Sequence, residues 1–171
     1  APVLVVATPD QVLGYERSST GTSACRFGET WTDNSDAPGS HNGVDTRSDM
    51  LRNLSSPLDP YTGQPLPQQR RQKHIDHLFP LAAGSDFGAA QCAQRKRTSF
   101  SNDIERNLVV VSGDVNIDKG DSTPSEWLPP WKGSQCWYAA RYLTVAIYYQ
   151  LAITEADWHA LSGARRLCHR S

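Results

Sequence analysis

Apolar positions are unevenly spread along this chain, and their spacing divides it into three stretches. Residues 107–112, Asn-Leu-Val-Val-Val-Ser, form a short β-branched run that predicts a buried strand. Residues 73–79, Lys-His-Ile-Asp-His-Leu-Phe, predict a second strand, and Pro80 breaks it and opens a helix. A short helix is expected over 112–119, closed by Gly120. Residues 133–168 predict two helices, the second opened by Thr154 as N-cap with Asp157 three positions on, a capping box that uses Asp in place of Glu. The most apolar stretch, 136–153, is interrupted by Arg141, Thr144 and Gln150, so it predicts a buried helix and falls short of the roughly 18 uninterrupted residues of a membrane span. The first 72 residues lack this periodicity. They are rich in Gly, Pro, Ser, Thr and Asp and predict loops, with short helices near 8–15 and 45–54.

Length changes the picture little: 171 residues fit one α+β domain, made of a loop-rich part (1–72), a central strand and helix unit (73–131) and a carboxy-terminal helical pair (132–171). Hydrophobic residues at 38%, charged residues at 20% and a mean hydropathy of -0.54 exclude disordered and fibrous classes. Charge is informative only by position. The 17 basic and 18 acidic residues nearly cancel, but residues 70–119 carry eight basic residues against six acidic ones, whereas residues 1–69 carry four against eight. A basic centre in a neutral chain holds a polyanion locally, with affinity that depends strongly on salt.

Four cysteines, Cys25, Cys92, Cys136 and Cys168, are far apart and contain no CxxC pair, which argues against a zinc ribbon and for two disulfides in an oxidising compartment. Cys136 and Cys168 bracket the two predicted helices, which predicts that bridge and leaves Cys25 with Cys92. The Ala-Pro-Val start without Met is what removal of a secretory leader would leave, so a secreted, monomeric protein is expected, away from any membrane.

The chemistry concentrates in His74-Ile75-Asp76-His77 with Pro80, in Asn107, and in Asn116-Ile117-Asp118-Lys119-Gly120-Asp121. Asp76 is a hard oxygen donor for a divalent cation, and His77 is a residue type suited to act as a general base near neutral pH. Neighbouring strand residues point to opposite faces, so the two serve one site only where the strand ends. Asn116 offers an amide oxygen as a second ligand. Asn107 is expected to brace the loop through backbone hydrogen bonds. His74, two residues before Asp76, shares its strand face and is a candidate extra ligand.

Together with Ser101-Asn102-Asp103, Pro124 and Trp127-Leu128-Pro129-Pro130, these residues make the chain resemble the HNH, or ββα-metal, endonuclease superfamily, and within it the small secreted HNH deoxyribonucleases of bacteria and fungi. The family often has an acidic residue where this chain has His74. The resemblance implies a disulfide-stapled α+β fold around a ββα-metal finger, with surrounding helices. It implies hydrolysis of DNA, with RNA as a second candidate, to 5′-phosphate and 3′-hydroxyl ends, with little sequence preference. His77 would be the base and Asn107 part of the catalytic centre. Asp76 and Asn116 would hold one divalent metal ion, Mg²⁺ or Mn²⁺ ahead of Zn²⁺ or Ca²⁺. Arg47, Arg95, Lys96, Arg97 and Lys119 would contact phosphates, with Arg47 and Arg70 as the alternative path. The rival expectation is a non-catalytic scaffold that keeps the finger for structure or nucleic-acid binding.

Overall fold

The structure, a computed structural model, describes residues 2–9, 15–16 and 25–169. The helix expected near 8–15 falls mostly outside them. Its central element is an antiparallel pair: β4 (Lys73–His77) runs against β5 (Leu108–Ser112), with Lys73 opposite Ser112 and His77 opposite Leu108. The β-branched run of β5 suits a pleated strand buried on both faces. Three shorter strands precede this pair: β1 (Leu4–Val6), β2 (Tyr15–Glu16) and β3 (Cys25–Arg26). β2 and β3 pair in parallel.

The two faces of the β4–β5 pair belong to different clusters. Val109 and Val111 enter the main core with Phe79, Phe100, Tyr138, Tyr142 and Leu161, whereas Ile75, Leu108 and Val110 form a second cluster with Leu66, flanked by Trp31, Met50, Leu51 and Ile104. Helix α1 (Thr46–Arg52) packs on this second face. Asp45 caps it by accepting from Ser48 N at 2.9 Å. A 3₁₀ turn, Arg70–Gln72, leads into β4.

After Pro80 the chain forms α2 (Leu81–Asp86) and then α3 (Gln94–Asn102). Directly after β5, α4 (Gly113–Lys119) folds back over β4 and stops at Gly120, whose φ of +52° suits glycine at a helix end and whose N–H reaches Asn116 O at 2.9 Å. The long α5 (Lys132–Tyr149) buries Ser134, Tyr138, Tyr142, Val145 and Tyr149, spaced by three and four so that they share one face. The Phe79 and Tyr142 rings stack there at 4.5 Å. β6 (Ala152–Thr154) pairs in parallel with β1, a pairing that the sequence reading lacked. The capping box of α6 (Glu155–Arg165) forms as expected, with Thr154 Oγ accepting from Asp157 N and the Asp157 carboxylate accepting from Thr154 N.

The two ends of the outward edge of β5 are covered by groups from outside the strand. Leu108 N donates to Asp103 O at 2.9 Å, Ser112 N to Asp59 Oδ2 at 2.7 Å, and Arg141 Nη2 to Leu108 O at 3.5 Å. The Cys136–Cys168 disulfide is present and ties α5 to the chain beyond α6. The second expected bridge is not: Cys92 is a free thiol, with Sγ 3.7 Å from Gly88 O.

Candidate functional site

Strand alternation sorts the motif residues of β4. His74 and Asp76 point at α4, while Ile75 and His77 point at the opposite face. Asn116, halfway along α4, meets His74, with Nδ2 3.2 Å from His74 Nδ1. Gly113 opens α4 because the His74 ring lies against it: a Cβ there would sit 2.9 Å from His74 Nε2. One turn further, Lys119 meets Asp76.

Asp76 is only 5% exposed, and both of its oxygens are engaged. Oδ1 accepts from Lys119 Nζ at 3.0 Å, and Oδ2 accepts from the Tyr61 hydroxyl at 2.5 Å. Lys119, 1% exposed, also donates to His77 O at 2.9 Å. Burial pushes the Asp76 carboxyl above its usual range, and the Lys119 charge and the two hydrogen bonds oppose that shift without cancelling it. The Tyr61 phenol is pushed up as well, by burial and then by the adjacent Asp76 charge.

His77 lies where β4 ends, on the other face. Its Nε2 is 2.9 Å from Ser101 O, and its ring stacks on Trp31 with centroids 5.7 Å apart and planes 10° apart. Phe27, Gly28, Glu29, Thr30 and Leu81 complete a small pocket around it. Trp31 takes a left-handed φ of +58°, a costly conformation for a bulky residue, and this turns its indole toward the imidazole. Asn107, fully buried, braces the strand exit: its side chain accepts from Phe79 N at 2.9 Å and donates to Phe79 O at 3.4 Å and Phe100 O at 3.2 Å.

Residues 22–164 match the family described as the C-terminal domain of GmrSD restriction endonucleases. The chain belongs to that family. The match bears out the resemblance drawn from the motif residues, to a nuclease-type domain related to the HNH group. A protein of the fungus Arthroderma benhamiae, described as an uncharacterized secreted protein, is 36% identical over 95 residues, which cover 55% of this chain and 47% of that protein. The chain therefore spans about half the length of the curated relative it matches. No solved structure matches.

Within this GmrSD C-terminal-type domain, several residues expected in the site have other work. Asp76 already accepts one hydrogen bond at each oxygen, from Lys119 and from Tyr61. Lys119 is too buried to touch a phosphate. Arg97, 8% exposed, is an internal brace: its guanidinium donates to Arg26 O, Cys92 O and Gln94 Oε1. Arg95 is paired in two places with Asp36, and Lys96 reaches Gln150 Oε1 at 3.1 Å. The triplet is therefore not a free cationic patch. Arg47 Nη2 donates to Lys73 O at 3.1 Å, beside the start of β4.

The sequence reading missed Trp31 and Tyr61, and quoted Ser101 only as part of a motif, with no role for it. The first two carry no motif, and Ser101 contributes its carbonyl, which sequence does not mark. A larger cavity, about 770 Å³, lies elsewhere, beside the middle of β5 between α1 and α5, and holds none of the expected site residues.

Among the described residues no group of three or more His, Cys, Asp and Glu is arranged to hold a metal ion. The donor pair that fits one is His74 with Asn116, both half-buried: an imidazole nitrogen facing a side-chain amide, which can turn its oxygen toward a cation. A set containing imidazole accepts softer ions than the Asp and Asn set expected from sequence.

Proposed function

We propose that this chain is a secreted, divalent-metal-dependent endonuclease, one unit built around β4, β5 and α4 read as the ββα finger of HNH nucleases. It hydrolyses phosphodiester bonds of DNA, and of RNA as a second substrate, with little sequence preference, and leaves 5′-phosphate and 3′-hydroxyl ends. The observation that carries this reading is the setting of His77. With Ser101 O accepting from Nε2–H, the basic lone pair lies on Nδ1, and the Trp31 face fixes the ring plane. A base so held takes a proton from an attacking water without first reorienting. Asn107 keeps the strand exit in place behind it, and the Asp76–Lys119 pair locks β4 to α4, which positions His74 and Asn116. A divalent ion held by these two would supply positive charge to offset that developing on the phosphate oxygens. The disulfide and the secreted relative support an extracellular location.

The full engagement of Asp76 favours the second reading, a non-catalytic nucleic-acid-binding or structural domain. A plasmid-nicking assay with Mg²⁺, Mn²⁺ or Zn²⁺, with and without chelator, separates the two. Metal-dependent nicking that falls ~10²–10⁴-fold in His77→Ala, with an unchanged circular dichroism spectrum, is the expected outcome. A variant that keeps more than half the wild-type rate removes His77 from the reaction, and wild type that binds DNA but never cuts it establishes the scaffold.

A further inference from the structure

Five cations gather beside the candidate site on elements that the Arg95–Arg97 triplet does not touch. Arg47 and Arg52 lie on α1, Arg70 and Arg71 on the 3₁₀ turn, and Lys73 at the start of β4. Two contacts join these elements: Arg47 Nη2 donates to Lys73 O at 3.1 Å, and Arg70 Nη2 donates to Ser48 Oγ at 3.1 Å. Arg52, Arg70 and Arg71 are exposed, and Arg47 and Lys73 are half-buried.

Their charge is not spent internally. Among the described residues the ion pairs are Arg95–Asp36, Arg106 with Asp103 and Glu105, and Lys119–Asp76, and none involves these five. Arg70 acts on Asp45 at longer range and helps to lower its pKa. The other nearby acids are occupied elsewhere: Asp49 accepts from Asn42 Nδ2 at 2.7 Å, and Asp59 accepts from the backbone of Tyr61 and Ser112.

Position gives the cluster a direction. Thr46 N, at the start of α1, donates to Trp31 O at 3.1 Å, so one end lies beside the Trp31–His77 stack. The other end is Lys73, which precedes His74 and its Asn116 partner. Across His74 and Asn116 the exposed residues Asp114 and Asp118 of α4, with Asp121 just beyond it, repel a polyanion from that side.

We propose that Arg47, Arg52, Arg70, Arg71 and Lys73 form the track on which a nucleic-acid phosphodiester backbone lies, leading it past both His77 and the His74–Asn116 pair. This rests on the nuclease reading above and names the surface that reading leaves open. Binding through phosphates is sequence-independent and follows counterion release.

The test is fluorescence anisotropy of a labelled duplex, in chelator so that nothing is cut, for wild type, the exposed triple variant R52Q/R70Q/R71Q, and R95Q/K96Q as the control on the other patch. With five contacts at a slope of about -0.9 each, raising salt from about 50 to about 200 mM lowers wild-type affinity about 500-fold, and the triple variant, with two contacts left, only about 12-fold. The control should keep the wild-type slope. A triple variant with the wild-type slope, or a control that loses it instead, overturns the track and leaves the nuclease reading standing. Wild type that neither binds nor cuts any duplex or single strand overturns both.

Discussion

Replacing Lys119 with Met keeps the length of the side chain and removes its charge from a site where it is 1% exposed. Asp76 is then left with the Tyr61 hydroxyl as partner, and His77 O loses its donor. Removing one member of a buried pair costs about 3–5 kcal/mol, because the remaining charge is uncompensated. For a chain of this size that corresponds to a fall in Tm of about 6–20 °C. The pH dependence has a definite sign. The Asp76 carboxyl already titrates above its usual 3.8 in the folded state, so the folded state binds the extra proton, and the cost of the buried charge is absent below the unfolded value and complete above the folded one. The gap between Lys119→Met and wild type therefore opens as pH rises past the raised wild-type value and reaches its full size only above the variant's own value, which loss of the Lys119 charge pushes higher still. Adding Asp76→Asn, which can still accept from Tyr61, should recover much of the loss at neutral pH. Urea denaturation at about pH 4 and about pH 7 measures each of these quantities. A loss below about 1 kcal/mol at neutral pH, or the same loss at both, would refute the buried-pair account.

Asn107→Ala should cost about 3 kcal/mol by urea denaturation, since it strands the Phe79 N–H and the Phe79 and Phe100 carbonyls in the interior; a loss under about 1 kcal/mol would mean that water reaches them. Asp45→Ala should cost about 1 kcal/mol as a lost N-cap. Because hydrogen bonds from Ser48 lower the Asp45 pKa, that contribution is present above the usual carboxylate value and fades as pH falls through the folded one, so a thermal-shift difference that persists in acid would count against the cap. Replacing Cys136 and Cys168 with Ser opens a loop with a sequence separation of 32 and should lower stability by about 4 kcal/mol; an unchanged midpoint in reducing and oxidising buffers would show that α5 and α6 hold without it.

The local elements were legible because their signals are local. The run after Asn107, the stop at Gly120 and the Thr154–Asp157 box depend on near neighbours, and each lies within a residue or two of its expected place. The β1–β6 pair was not legible, since a three-residue parallel strand takes its partner from the far end of the chain. The site divides in the same way. The bracing role of Asn107 followed from its side-chain chemistry and the neighbouring motif. The positions of Lys119 and Arg97 did not: a basic side chain at a helix end reads as solvated, and only the packing of α4 on β4, and of α3 on β3, turns these two inward. Charge arithmetic over residues 70–119 therefore counted cations that never reach solvent, while those on α1 and the 3₁₀ turn carry the free charge.

A two-stranded ribbon such as β4–β5 leaves strand edges open, and an open edge with Val109, Val110 and Val111 behind it is the kind of surface on which a second molecule adds a strand. Here the ends of the edge are covered by the nearby Asp103 carbonyl and by Asp59 and Arg141, which come from far away in the chain. Until Asp59 and Arg141 have arrived, the valine run stays available to other chains. Resistance to aggregation is thus acquired late in folding, and variants that slow the docking of α5, which brings Arg141, should form intermolecular β-structure during refolding even where the finished protein stays soluble.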